Sequence, residues 1–266
     1  MVDDDGPVRF DYHAHSDYSD GAELEAMAGA AEASGLEAIG FADHCNVTDP
    51  ALSSHEVYSL HETYEERRAE LGDLRERFEL RVFDAVELDY VPGEEARLRD
   101  FLTEADFEYS LGSVHRIDGV NVMHGPAVAD ADEGDRERLV DDYFDAVVAL
   151  VESELVDVLS HLDVTTRNPH LREIPDSEHY ERVAGALEDS RTVPELNLGR
   201  VQRAEGSLHP DPAFLNAFAE RGVRFVVGTD AHRPAQVAAR TRQLGDALDG
   251  VGVEVLDGLA PFVSDA

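Results

Sequence analysis

Lysine and tryptophan are absent from this 266-residue chain, and cysteine occurs once, at Cys45. One cysteine excludes an intramolecular disulfide. Cys45 follows a histidine, but a small buried residue is its expected role. All 22 basic residues are arginine, against 58 Asp and Glu, for a net charge of −36. That charge repels nucleic-acid phosphates and anionic membrane surfaces. Without tryptophan or a basic run there is no stacking groove for single-stranded nucleic acid. The chain also lacks any apolar run of about 18 residues, the length that spans a bilayer. The acidic start, Met1-Val2-Asp3-Asp4-Asp5, is no signal peptide, so a cytoplasmic location is expected. Arginine pairs with carboxylates better than lysine does, and high ionic strength screens the self-repulsion of an acidic surface. The composition therefore predicts a halophilic protein, suited to a salt-rich cytosol.

What is present is an alternation of short apolar runs with longer amphipathic ones. Strands are expected at Val8–Tyr12, Leu36–Ala42, Leu80–Glu87, Phe107–Val114, Val156–Ser160, Thr192–Leu196 and Val223–Gly228. Helices are expected at Ala22–Ser34, His55–Phe78, after Pro92-Gly93, around Leu139–Val151, at Ser177–Glu188 with Asp176 as cap, after Asp211-Pro212, and at Pro234–Leu248. Ala129–Arg138 reads as a charged, solvated loop. About seven β-α units predict parallel strands with right-handed crossovers. A barrel of about 250 residues would use the chain without remainder. No linker, repeat or low-complexity segment divides it, so residues 1–266 are expected to form a single α/β domain. An open doubly wound sheet is the rival, but it would spread the chemical residues along an edge.

Those residues crowd the ends of the expected strands. His13 and His15 follow the first, Asp43 and His44 the second, and Glu87 ends the third. His115 ends the fourth, His161 the fifth, and Asp230 and His232 follow the seventh. Imidazole and carboxylate suit zinc, iron and manganese alike. His13 and His15, two apart on an extended strand, face one side. Asp20, with Glu23 three residues on, is a helix cap, a ligand or both. Asp43 orients a ligand histidine or is a solvated turn carboxylate. Glu87 bridges two cations or pairs with an arginine. His55, His61 and His179 read as solvated helix-surface residues. His124, His170 and His209 fall in loops on the active face, against substrate or water. Each signal is modest alone; their common placement at successive strand ends makes them strong together.

His13-Ala14-His15 with Ser19-Asp20-Gly21, Asp43-His44, Glu87, His115, His161 and Asp230-Ala231-His232 resemble the motifs of the polymerase and histidinol phosphatase (PHP) superfamily. The resemblance covers about residues 10 to 240. Glu87-Leu88-Asp89-Tyr90-Val91-Pro92-Gly93, Leu111-Gly112-Ser113-Val114-His115 and Glu195-Leu196-Asn197 are similar to the histidinol-phosphatase branch. The resemblance implies a distorted seven-stranded TIM-like barrel holding two or three divalent ions of zinc, manganese or iron. It implies a first ion on His13, His15, Glu87 and Asp230, a second on Glu87, His115 and His161, and a third on Asp20, His44 and His232. Phosphate would be bound by Arg167, Arg200 or Arg203, because the branch's basic residue after the fifth strand and its run after the sixth are both altered here. Glu87, Asp230, His232 and Asp163 are the expected catalytic residues. His209 is expected at the substrate, where it or Asp163 could protonate the leaving group.

The function this implies is phosphomonoester hydrolysis, with L-histidinol phosphate as the expected small phosphorylated substrate and no nucleic-acid or membrane partner; the oligomeric state is left open. The alternatives are a phosphoesterase acting on nucleotides or another small phosphate ester, and a non-catalytic metal-binding module. The composition carries its own test. The melting temperature should rise steeply from dilute buffer to molar KCl as carboxylate repulsion is screened. A melting temperature insensitive to KCl would contradict the salt-adapted reading.

Overall fold

Seven parallel strands, neighbours in chain order, form the centre of the molecule. They are β1 (Phe10–Ala14), β2 (Ala38–Cys45), β3 (Arg81–Asp89), β4 (Tyr109–Ser113), β5 (Val158–Leu159), β6 (Val193–Asn197) and β7 (Val226–Gly228). The computed structural model describes residues 9–48, 59–202, 208–248 and 250–256. The sheet curls until its edges meet just past β7: His15 N donates to Ala231 O at 2.9 Å and Asp230 N to His13 O at 2.7 Å. The result is a nearly closed barrel, as the alternation predicts, with the distortion that the resemblance implies. Its distortion is visible in β5 and β7, which have only two and three residues, and in a register shift between Asp11 and Ala14.

The principal helices pack outside: α1 (Leu24–Ala33), α2 (Leu60–Arg77), α3 (Glu95–Ala105), α4 (Glu133–Glu152), α5 (Ser177–Glu188) and α6 (Pro234–Leu248). In α1 the buried residues are Leu24, Met27, Ala28 and Ala31, the spacing of a helix with one apolar face. A small antiparallel pair, Arg116–Ile117 with Val120–Asn121, follows β4.

Several boundaries differ from expectation. β1, β2 and β3 run two to three residues further than the apolar runs suggest, so His13, Asp43, His44 and Glu87 stand within the strands. The Ala129–Arg138 loop is half helix: α4 starts at Glu133, with the Asp132 side chain accepting from Asp135 N. Its first turns are mostly exposed and show no apolar period. Asp176 does cap α5, and His179 closes the reciprocal bond. His179 is therefore buried, not solvated, with Nε2 held 3.0 Å from Asp141. The turn after Asp211-Pro212 is a short 3-10 segment, Pro212–Phe214, then a four-residue helix. Arg203 and His55 lie outside the described residues.

The barrel interior sorts its contents by height. Tyr12, Ala38, Ala42, Phe83, Ala85, Tyr109, Leu111, Val158 and Val226 form one apolar layer. Along β3, Phe83 and Ala85 belong to this layer and Glu87 lies on the same face, because side chains alternate. Above the apolar floor the interior is imidazole and carboxylate. Gly40 makes room for the floor: a Cβ there would fall 1.6 Å from the Tyr109 hydroxyl, which donates to Tyr12 O at 2.7 Å. Gly40→Ala should therefore destabilise the protein by at least about 1–3 kcal/mol, the usual cost of overpacking. Chemical denaturation would measure it, and a neutral result would mean that Tyr109 is free to move.

Candidate metal centre

Glu87 organises the mouth of the barrel. Its side chain is fully buried, and the two oxygens face different neighbours. Oε2 lies 2.7 Å from His44 Nδ1, 3.4 Å from His13 Nε2 and 3.7 Å from His15 Nε2. Oε1 lies 3.0 Å from His161 Nε2 and 3.6 Å from His115 Nε2, and accepts from Ser113 Oγ at 2.5 Å. Register brings this about: His44 is paired with Glu87 across β2 and β3. His13 stands within β1, His15 directly follows it, and His115 and His161 follow the ends of β4 and β5.

Around Glu87 the expected ligands converge. His13 Nε2 and His15 Nε2 are 3.0 Å apart. Two nitrogens bound to one tetrahedral ion at about 2.0–2.1 Å stand roughly 3.3 Å from one another, so the spacing fits a shared cation. His15, Asp20, His44 and His232 form a second gathering, with Asp20 Oδ1 at 3.3 Å from His232 Nε2 and 3.7 Å from His44 Nε2. His44, Glu87 and His115 form a third. Asp230 Oδ1 lies 3.4 Å from His15 Nε2. Asp20 is no helix cap: α1 starts at Leu24 after Glu23, and no side chain caps it. All nine expected ligand residues thus stand in one connected cluster. Glu87 Oε2 has close imidazole neighbours but no well-directed hydrogen bond, and His161 Nδ1 is buried without one. Orphaned lone pairs are costly in a dry interior, and the donor set is the kind that zinc takes.

The imidazoles divide: burial lowers His15 and His161, whereas for His13 burial is overcome by Glu195 and Glu87, for His44 by Glu87, which pushes it up to about 9, and for His232 by Asp20. Burial pushes His15 down to about 4, with His232 and His44 adding to the effect, so its lone pairs stay free. Burial pushes Glu87 up, but His44 and His13 outweigh it and hold the carboxyl well below the usual range. For Asp230, burial is likewise overcome, here mainly by Arg167. Asp230 sits at φ 52°, a strained backbone for a residue with a Cβ. Arg240 of α6 holds it there, donating to Thr229 O at 2.7 Å and Asp230 O at 2.6 Å.

A second layer fixes the ligands. Glu195 Oε1 lies 3.0 Å from His13 Nδ1, and Oε2 accepts from His161 N at 3.1 Å. A Cβ on Gly228 would fall 1.7 Å from that Oε1, so glycine is required opposite Glu195. Asp89 Oδ1 holds His115 Nδ1 at 2.5 Å. Asp11 accepts from Thr229 N and Oγ1 and ties β1 to the approach of Asp230. Asp43 is buried, which overturns the solvated-turn reading; it accepts from Ser16, Ser19 and Arg67, and Ser19 Oγ in turn lies 3.5 Å from His15 Nδ1. Sequence reasoning assigned Glu195, Asp11 and Arg240 no role. For Asp11 and Glu195 the signal is an acid inside an otherwise apolar strand; Arg240, on α6, offers none.

Of the candidate phosphate groups, Arg167 reaches the centre, donating to Asp230 Oδ2 and Asn197 Oδ1 at 3.0 Å each. Arg200 lies beside it, bonded to Arg167 O. His209 and Asp163 are buried together, Nδ1 to Oδ1 at 2.7 Å. Arg167 Nε, which can only donate, points at His209 Nε2 at 3.3 Å. Asp163 also accepts from Tyr180 Oη and Asp211 N. His124 and His170 are exposed, and neither joins the cluster.

A family model for the PHP domain matches residues 11–197. A curated relative, a probable histidinol-phosphatase of Deinococcus radiodurans, is 28% identical over 220 residues, covering 82% of this chain and 83% of its own. Among solved structures, histidinol phosphate phosphatase from Lactococcus lactis, in complex with zinc, L-histidinol and phosphate, superposes with a TM-score of 0.74 at 21% identity. It covers 97% of this chain and 99% of its own. A putative histidinol phosphatase of Listeria monocytogenes gives a TM-score of 0.66 at 14% identity, with 85% and 96% covered.

The second layer is open to test. Glu195→Ala should lower zinc affinity by roughly 10–100-fold, as loss of a residue that orients a ligand histidine does. Competition with a chromophoric chelator would measure this, and unchanged affinity would show that His13 needs no partner.

Proposed function

The chain belongs to the PHP family, and we propose that it is a metal-dependent phosphomonoesterase that hydrolyses L-histidinol phosphate to L-histidinol and phosphate in histidine biosynthesis. One observation carries the reading: a fully buried glutamate is surrounded by imidazoles of five different chain positions, with Arg167 close by on Asp230. The names of the Deinococcus, Lactococcus and Listeria proteins favour this substrate over other phosphate esters.

His13, His15, Glu87 and Asp230 would hold one ion, Glu87, His115 and His161 a second, and Asp20, His44 and His232 a third. Zinc is the ion favoured by the Lactococcus complex, with manganese and iron suited to the same donors. Such cations, when bound, supply Lewis acidity towards phosphoryl oxygens and lower the pKa of water. Glu87 presents one oxygen to each of two sites, so it sets the spacing between them. Arg167 offers the phosphate a planar fork able to make two bonds at once. It is aimed by Asn197 on one side and His209 on the other. Burial would raise the Asp163 carboxyl, but His209 and its other donors keep it below the usual range. Asp163 therefore acts as an acceptor that fixes the His209 proton on Nδ1 and turns Nε2 towards Arg167. Arg200, which donates to Arg167 O, would be a further arginine available to phosphate.

Phosphate release from L-histidinol phosphate, p-nitrophenyl phosphate and a dinucleotide decides among the readings. The expected order puts histidinol phosphate first and the dinucleotide last, and a chelator should abolish all turnover. A preference for the dinucleotide would favour a nucleotide phosphoesterase, and no release from any would favour a non-catalytic module. Glu87→Gln should lower kcat by about 10²-fold or more, because loss of a bridging charge disturbs two ions. A purified Glu87→Gln protein of near-normal activity would remove the bridge.

A further inference from the structure

Asp43 and Arg67 lie outside the ligand cluster yet are fully buried. Along β2, Ala38 and Ala42 face the barrel interior with His44, while Phe41 packs with α1 residues on the other side. Asp43 shares the Phe41 side, so it is a carboxylate in the layer between sheet and helices. Arg67 of α2 meets it there. Its Nη1 donates to Asp43 Oδ2 at 2.7 Å and Phe41 O at 3.2 Å, and its Nη2 to Asp84 Oδ1 at 2.6 Å and Ala85 O at 2.5 Å. Every other bond to Asp43 comes from one short segment. Ser16 N reaches Oδ1 at 2.6 Å, Ser16 Oγ reaches Oδ2 at 2.7 Å, and Ser19 Oγ reaches Oδ1 at 2.7 Å. His15 and Asp20 flank that segment. Ser16 O in turn accepts from Ser19 N and Gly21 N, so the turn is pinned as a unit.

We propose that Arg67 is a positioning residue for the outermost ion site: through Asp43 it clamps the Ser16–Gly21 turn and so places Asp20 against His44 and His232. The proposal rests on the metal-dependent reading above. Asp20 is the ligand with most need of such a clamp. Its side chain is 38% exposed, against 0% for Glu87 and the His13–His15 pair, so packing alone does not hold it. Arginine is required because its fork serves two carboxylates and two carbonyls together; a lysine would keep the charge and lose most of the bonds.

The test is a zinc titration of the full chain, following stoichiometry by elemental analysis and affinity by competition. Wild type should take three ions. Arg67→Lys should keep two near wild-type affinity and weaken the third on the order of 10–100-fold, with excess zinc restoring the full count. Ser16→Ala combined with Ser19→Ala leaves Arg67 in place and should reproduce that selective loss, which keeps the idea testable if Arg67→Lys does not fold. Asp84→Asn, on the other branch of the fork, should lower the melting temperature while three ions remain. The proposal is overturned if the serine variant binds all three ions as wild type does, or if every ion weakens equally. Wild type binding one or two ions would also overturn it, and wild type binding none would take the metal-dependent reading with it.

Discussion

The molecule depends on one carboxylate surrounded by imidazoles at the top of an apolar barrel. Glu87 is buried where water cannot solvate it, and a bare charge there is expensive. His13, His15, His44, His115 and His161 stand around it with nitrogens within 4.0 Å. No one of these contacts is exceptional; their convergence is. It requires β1, β2, β3, β4 and the segment after β5 to end at a common height, and the register of the sheet delivers that. The apolar floor of Tyr12, Phe83 and Tyr109 below them is what makes the mouth a site and not a pore.

Behind the cluster lies a second population of buried charge. Arg67 with Asp43 and Asp84, Arg240 on the Asp230 backbone, and Glu195 on His13 all sit where a barrel of this kind would otherwise be apolar. Breaking one partner of such a pair typically costs about 3–5 kcal/mol, whereas the intact pair adds little net stability. Their use is therefore geometric. Each holds a backbone or ring in or next to the histidine and carboxylate cluster.

Much of this was legible from residue order. Alternating apolar and amphipathic runs gave the strand and helix sequence, and α6 starts and stops at the expected residues. The nine ligand-type residues were visible because histidines and acids recur at strand ends. The second layer was not, because its partners are far apart in the chain: Asp11 meets Thr229 across 218 residues, and His13 meets Glu195 across 182. Arg67 looks like any charged helix residue until α2 is laid on β2 and β3. The start of α4 was hidden by its solvated first turns, and His179 by standing where a cap usually has glutamate or glutamine.

The seam of the barrel has a bearing on how the chain matures. Its closing bonds run between the residues next to the first ligands and those next to the last, His13 to Asp230 and His15 to Ala231. Ring closure and completion of the cation nest are consequently one event. A nascent polypeptide still short of residue 232 has neither, however well its early strands have paired. The donor set is thereby incomplete until nearly the whole chain has emerged, and a truncated product would lack His232 and the closing bonds of the seam.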